Sequence, residues 1–573
     1  MRTLRWLGPL CALSASTACG DGGDALDPPP SGGADTGLLD GSTADAGPSD
    51  AALSDAGVSD LGADDGGSDA AVDVGVDAGT TCPNEGVAAP EIVATTEGPV
   101  RGEMTSSGWR YMGIPFAAPP TGALRFAAPT APTCRSEILD ARAAASECPQ
   151  YSTEEGRPLI GNEDCLYLNV WAPTSTATRP VMVFIHGGAH EQGSGTKAAY
   201  EATGLAAEDV VVVTFNYRVG PFGFLAHPGL EGPSGNYGMA DQIHALKWVR
   251  DNISNFGGDP ERVMIFGQSA GAVSTCRLLV SPAARGLFHS AAMLSGACVA
   301  TPQAAAETSG QTFVDNVGCS GSDPLGCLRG LSMEAVMAGF EPATTGTNVS
   351  GRLSFDGVVD GDLVPDAPRT LIEAGSAAPV PVIVGSTREE NGRDAPAIAS
   401  EAAYRAAVEL FVPNALPNAV VEQILALYPT SAYASPRAAY VALTSDVRFT
   451  CQARRDARLL GADPRAPAYR YLFAEVPEDA SVLLQRLGAW HGIDLPYVFG
   501  TFGTTNLTPT ARDEAAIAAY RGIFTSLARG EVPPNMAAPS PSETRLTLFE
   551  EGRAEVVADP KATECEFWDQ FVQ

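Results

Sequence analysis

The chain has 573 residues, 45% of them hydrophobic, which is enough to bury a large core. It carries 68 Asp and Glu against 36 Lys and Arg, a formal net charge of −32. So acidic a surface repels phosphate backbones and excludes nucleic acid as a natural partner. The excess is uneven: residues 20–80 hold 14 Asp and no Glu, Lys or Arg, and the remainder is acidic along its length.

At the start, Arg2 and Arg5 precede an apolar, small-residue stretch from Trp6 to Ala18. That is the pattern of an export signal, too short for a permanent bilayer span. Ser16-Thr17-Ala18-Cys19 resembles a bacterial lipobox, which implies a lipidated Cys19 and a chain anchored at the outer membrane or cell surface. Ser16 stands where leucine is usual, and plain secretion after cleavage near Ala18 is the alternative. Residues 20–81 lack aromatic residues and are mostly Asp, Gly, Ala, Ser and Pro, so they read as a disordered, extended linker. The folded domain is expected over 82–573, with no further transmembrane segment.

Within it, Val100-Arg101 and Tyr111 to Pro115 read as short strands. Val181–Ile185, Val210–Phe215, Val263–Phe266 and Val380–Val384 are continuous apolar runs, the mark of strands buried on both faces of a parallel sheet. Between the second and third runs, Ile243, Leu246, Trp248, Val249 and Ile253 recur at helical spacing across 241–255. Strand, helix, strand is a βαβ unit, so the fold class is α/β. The Ala-rich stretch 393–480 reads as helical and as a lid or cap.

Gly267-Gln268-Ser269-Ala270-Gly271 follows the third run and precedes an apolar helical stretch, the context of a nucleophile elbow. His186-Gly187-Gly188-Ala189 follows the first run, and glycine-rich backbone there can offer N–H groups to an oxyanion. The candidate donors are Gly188, Ala189 and Ala270. His186 and His190 are four apart, but the two glycines between them argue against a helix and so against a metal pair. No cofactor or metal is called for. In elbow hydrolases the order along the chain is serine, acid, histidine. Of six histidines only His289 and His491 follow Ser269, and His289 lies too close behind it, which leaves His491. Glu389 and Glu390 both fit the acid on spacing.

The chain resembles the type-B carboxylesterases, the family of cholinesterases, lipases and bacterial para-nitrobenzyl esterases, from about Glu91 to Phe571. The likeness rests on Tyr111 to Ala117 with Pro119-Pro120 and Leu124-Arg125-Phe126, on Glu163-Asp164-Cys165-Leu166-Tyr167-Leu168-Asn169, and on Asn216-Tyr217-Arg218. It continues through Phe256-Gly257-Gly258-Asp259-Pro260, Gly385 to Glu390, and His491-Gly492 to Phe499-Gly500. The resemblance implies an α/β-hydrolase fold: a central, mostly parallel twisted sheet flanked by helices, with helical cap insertions. It implies hydrolysis of a small-molecule ester by Ser269, Glu390 and His491, and it favours Glu390 over Glu389. It also implies the disulfides Cys148–Cys165, Cys319–Cys327 and Cys451–Cys565, and the ion pairs Arg125–Glu163 and Arg218–Asp241. Cys82 and Cys134 are expected as a further pair, and Cys276 and Cys298 as buried thiols. Ala189, Asn391 and Ala297 depart from the family pattern. A non-catalytic surface binding module on the same fold is the competing reading, against which the intact Ser269, Glu390 and His491 argue.

Overall fold

The structure, a computed structural model, describes Cys82 and residues 89–571 apart from 155, 175–176, 341–354, 413–417, 506 and 538–544. Cys19 and the 20–81 linker lie outside the described residues. The main sheet contains β1 (Glu103–Met104), β2 (Gly108–Pro115), β3 (Tyr167–Pro173), β4 (Arg179–Ile185), β5 (Val211–Phe215), β6 (Gly258–Gln268), β7 (Ser290–Leu294), β8 (Val382–Thr387), β9 (Ala468–Phe473), β10 (Arg545–Glu550) and β11 (Arg553–Ala558). Their order across the sheet is β1-β2-β3-β5-β4-β6-β7-β8-β9-β10-β11. Pairing is parallel from β5 through β10 and antiparallel at both margins.

The principal helices are α1 (Tyr237–Asn252), α2 (Ala270–Val280), α3 (Glu401–Phe411), α4 (Asn418–Leu427), α5 (Pro436–Ser445), α6 (Cys451–Leu460), α7 (Ala511–Ala528) and α8 (Ala562–Trp568). Because strand side chains alternate, β4 and β6 feed two cores at once. Val181, Val183, Ile185, Val263 and Ile265 pack with Ile243, Leu246 and Val249 of α1 and Leu278 and Leu279 of α2. Met182, Phe184, Met264 and Phe266 face the other way, onto Tyr520, Ile523 and Phe524 of α7. A smaller third core joins α3 to α6, including Tyr404, Val408, Ile424, Tyr428 and Leu443, with Trp568 of α8.

Three expectations shift. Val380–Val384 becomes Val382–Thr387, because Pro379 and Pro381 have no N–H for the ladder and pairing with β9 continues through Thr387. The helical stretch 393–480 ends early: Ala468–Phe473 is a buried central strand, paired with β8 and β10. Its Arg470, tied to Asp559, and its Tyr471, bonded to the Tyr520 hydroxyl, hide the apolar run. Cys276 and Cys298 are not thiols; they form a disulfide between α2 and the loop after β7. Both side chains are buried side by side, so burial alone could not separate a thiol pair from a bridge.

The other bridges are Cys82–Cys134, Cys148–Cys165, Cys319–Cys327 and Cys451–Cys565. Arg125 meets Glu163 through two hydrogen bonds of 2.7 and 2.5 Å, and Arg218 meets Asp241 at 2.8 and 2.7 Å. The second pair is almost wholly buried, so losing either partner would strand a charge at a cost of about 3–5 kcal/mol.

Candidate active site

The carboxyl ends of four parallel strands bring the site residues into one region, where open α/β sheets bind ligands. Ser269 follows β6 directly, Glu390 lies three residues beyond β8, His491 is on the connection after β9, and 186–193 follows β4.

Ser269 has φ 58° and ψ −125°, a strained conformation for a residue with a side chain. The turn is braced from both sides. Ser269 N–H donates to Leu294 O of β7 at 2.9 Å, and its carbonyl accepts from Ala272 and Val273 at 2.9 and 3.1 Å. Gly271 is required by close approach, because a Cβ there would meet Ile185 O at 2.0 Å. The 186–193 loop runs against the serine: a Cβ on Gly187 would lie 3.0 Å from Ser269 Cβ. Gly188, Ala189 and His190 all have positive φ, at 121°, 58° and 57°. Among the described residues, no acceptor takes the N–H of Gly188, Ala189 or Ala270.

His491 Nδ1 is 2.5 Å from Glu390 Oε2, and Glu390 is fully buried, with Oε1 accepting from Thr387 N–H at 2.8 Å. The His491 N–H also donates to Glu390 O at 3.1 Å. Glu389 does something else. Its Oε1 accepts from Arg388 and its Oε2 from Ala489 N–H, each at 2.8 Å, so it holds the histidine's loop. Burial disfavours the imidazolium, but Glu390, with Asp494 and Asp394 behind it, outweighs this and raises the His491 pKa. Asp494 is itself pushed up to about 6, by burial first and by Glu390 second.

His491 Nε2 faces the Gln268 side-chain amide at 3.1 Å, and no hydrogen bond joins it to Ser269 Oγ in this conformation. Gln268 was not singled out in the sequence; its only signal is its place immediately before the serine. Phe449, 5.0 Å from the His491 ring, was also missed. It lies on a π-helical turn, Asp446–Thr450, between α5 and α6, an irregularity that spacing does not announce. His186 and His190 go to separate partners: His186 stacks on Tyr217 at 4.2 Å, while His190 reaches Ser274 and Asp356.

A model of the carboxylesterase family matches residues 89–568. The chain is 34% identical over 494 residues to the para-nitrobenzyl esterase of Bacillus subtilis (strain 168), covering 82% of this chain and 97% of that protein. It is 34% identical over 414 residues to the fumonisin B1 esterase of Sphingopyxis macrogoltabida, covering 70% and 73%. The cocaine esterase of Homo sapiens is 34% identical over 439 residues, covering 70% and 76%. Among solved structures, a PNB esterase superposes with a TM-score of 0.72 at 32% identity, covering 83% of this chain and 99% of that one.

Proposed function

Because the chain belongs to the carboxylesterase family and has the α/β-hydrolase fold, it is a carboxylesterase for small-molecule esters, and we propose that Ser269, His491 and Glu390 form its triad. The observation that carries this reading is the imidazole: Nδ1 donates to a fully buried Glu390, which leaves the Nε2 lone pair beside the residue that precedes Ser269. Nε2 exchanges the Gln268 amide for Ser269 Oγ when substrate enters, since catalytic hydrogen bonds are often loose before that point.

Ser269 Oγ then attacks the acyl carbon while its proton passes to Nε2. The carbonyl oxygen becomes an oxyanion held by the N–H groups of Gly188, Ala189 and Ala270. The tetrahedral intermediate collapses, the C–O bond to the alcohol breaks, and His491 returns the proton to the departing oxygen. Water, deprotonated by the same imidazole, releases the acid from Ser269. Glu390 holds the imidazole through Nδ1 and fixes its tautomer.

Hydrolysis of para-nitrophenyl acyl esters from acetate to palmitate tests the reading. Turnover is expected in the wild-type chain and lost in Ser269→Ala, and the preferred acyl length separates short-chain esterase from lipase. A folded wild-type chain that turns over none of them, or a Ser269→Ala chain as fast as wild type, removes the triad.

We also infer that the chain is exported and anchored through a lipid on Cys19. All ten cysteines from Cys82 onward are paired, which suits an oxidising compartment. Radiolabelled palmitate should enter the wild-type chain and not Cys19→Ser; a wild-type chain without label is secreted instead.

A further inference from the structure

Two non-glycine residues in succession, Ala189 and His190, sit in the left-handed region, each costing on the order of 1–3 kcal/mol unless its surroundings hold it there. The surroundings are unusually specific. His190 O accepts from Gly220 N–H at 2.6 Å. The His190 ring is buried, with Nε2 2.8 Å from Ser274 Oγ and Nδ1 2.8 Å from Asp356 Oδ1. Ser274 lies on α2 and also accepts from Gln242 Nε2 of α1 at 3.0 Å. Arg277, on the same α2, reaches the same Asp356 Oδ1 at 2.8 Å.

The hydrogens assign themselves along this chain if His190 is neutral. Gln242 N–H donates to Ser274 Oγ, Ser274 O–H donates to His190 Nε2, and His190 Nδ1–H donates to Asp356. Burial lowers the His190 pKa despite Asp356, in keeping with that assignment. Arg277 and His190 hold the Asp356 carboxyl well below the usual range, although burial pulls the other way. Ser274, His190 and Asp356 thus have the make-up of a second triad, but Ser274 is 2% exposed and no substrate reaches it.

Two elements carry the three oxyanion donors. Gly188 and Ala189 belong to the loop, and Ala270 is the first residue of α2. The His190 ring bonds one to the other. We propose that His190, clamped by Asp356 and Ser274, is the positioning residue that sets the loop's donors against those of the elbow helix. The proposal rests on the triad reading above. Its effect falls on the transition state and the tetrahedral intermediate, because the bound ester carries no oxyanion.

The test is kinetic, on the full chain, with para-nitrophenyl acetate and an alkyl trifluoromethyl ketone. The ketone takes Ser269 Oγ at its carbonyl carbon, passes the serine proton to His491, and leaves a stable oxyanion in the same donors. His190→Ala is expected to lower kcat by roughly 10- to 100-fold with KM within about 2-fold, since displaced donors cost that much. Ketone affinity should fall by the same factor as kcat/KM. Ser274→Ala, which keeps the ring and loses one of its partners, should do the same to a smaller extent, and it decides the matter if His190→Ala does not fold. Unchanged kcat in a folded variant, or a loss of kcat with ketone affinity intact, overturns the proposal. A Ser269→Ala chain that hydrolyses the ester as fast as wild type would instead overturn the triad beneath it.

Discussion

His491 and His190 each present Nδ1 to a carboxylate, at 2.5 Å for Glu390 and 2.8 Å for Asp356. Both rings lie at the mouth of the same sheet, yet their pKa values move in opposite directions. The charged groups that shift His491 are all acidic: Glu390, Asp494 and Asp394, with no cation among them. Around His190 the single carboxylate is shared with Arg277, whose charge already compensates it, and the ring side chain is only 3% exposed against 26% for His491. Burial therefore wins at His190 and loses at His491. A histidine–carboxylate contact is thus not by itself a catalytic device. On the proposed reading, uncompensated negative charge and an Nε2 held only by the Gln268 amide mark the base, whereas a compensated carboxylate and an Nε2 bonded to buried Ser274 mark a strut.

The largest effect that would sharpen this contrast is on turnover. His491→Ala should cost about 10⁴- to 10⁶-fold in kcat, as removal of a triad base does elsewhere, well beyond the loss expected for His190→Ala. Equal losses in the two variants would erase the distinction between base and strut.

The next effect is on pH. With His491 as the proposed base, activity needs its neutral form, and its raised pKa places the acidic limb of kcat/KM above the ordinary histidine value of about 6.5. Activity is therefore lost as pH falls through that raised value. In Glu390→Gln the limb should move downward, while Asp356→Asn should leave it in place; a profile from pH 5 to 9 reads both. For stability the sign is reversed. The His491–Glu390 contact favours the folded, protonated state, so its contribution is complete below about 6.5 and fades as pH rises through the folded value.

The smallest effect on catalysis concerns the bridge that fixes α2, the helix bearing Ser274 and Arg277. Cys276→Ser with Cys298→Ser should cost about 3 kcal/mol of stability for a closed loop of this length, on the chain-entropy account. Its kcat should stay within about 3-fold of wild type at temperatures where the variant is folded. A denaturant titration with a parallel assay measures both, and a kcat loss as large as that of His190→Ala would assign the strut's task to the bridge.

Strands β4, β5 and β6 were legible because their runs are continuous and β-branched, which only a two-faced buried strand tolerates. By contrast β7 was not: Ser290-Ala291-Ala292-Met293-Leu294 contains no β-branched residue, and its place is decided by its neighbours β6 and β8. The margin strands β10 and β11 went unread as well. At the site, motif order and family likeness pointed to Ser269, Glu390 and His491, and the structure sets His491 against Glu390 and beside Gln268, the residue before Ser269. The Gln268–His491 contact spans 223 residues, and His190 meets Ser274 across 84. Neither pair has a local pattern, because what joins them is the folding of loops over a sheet edge.

The Cys451–Cys565 bridge ties α6 to α8 across 114 residues, and between its ends lie β9, the His491 connection, α7, β10 and β11. Val482 and Leu483 stand exposed on that connection, where a protease would find backbone to cut. A single cut there would place Ser269 and Glu390 on one polypeptide and His491 on another, yet the two would remain one covalent molecule. Under denaturing conditions such a nicked protein would keep its full mass without reductant and separate into two fragments with it. That is a second kind of durability, in which an intact backbone is no longer the condition for keeping Ser269, Glu390 and His491 together.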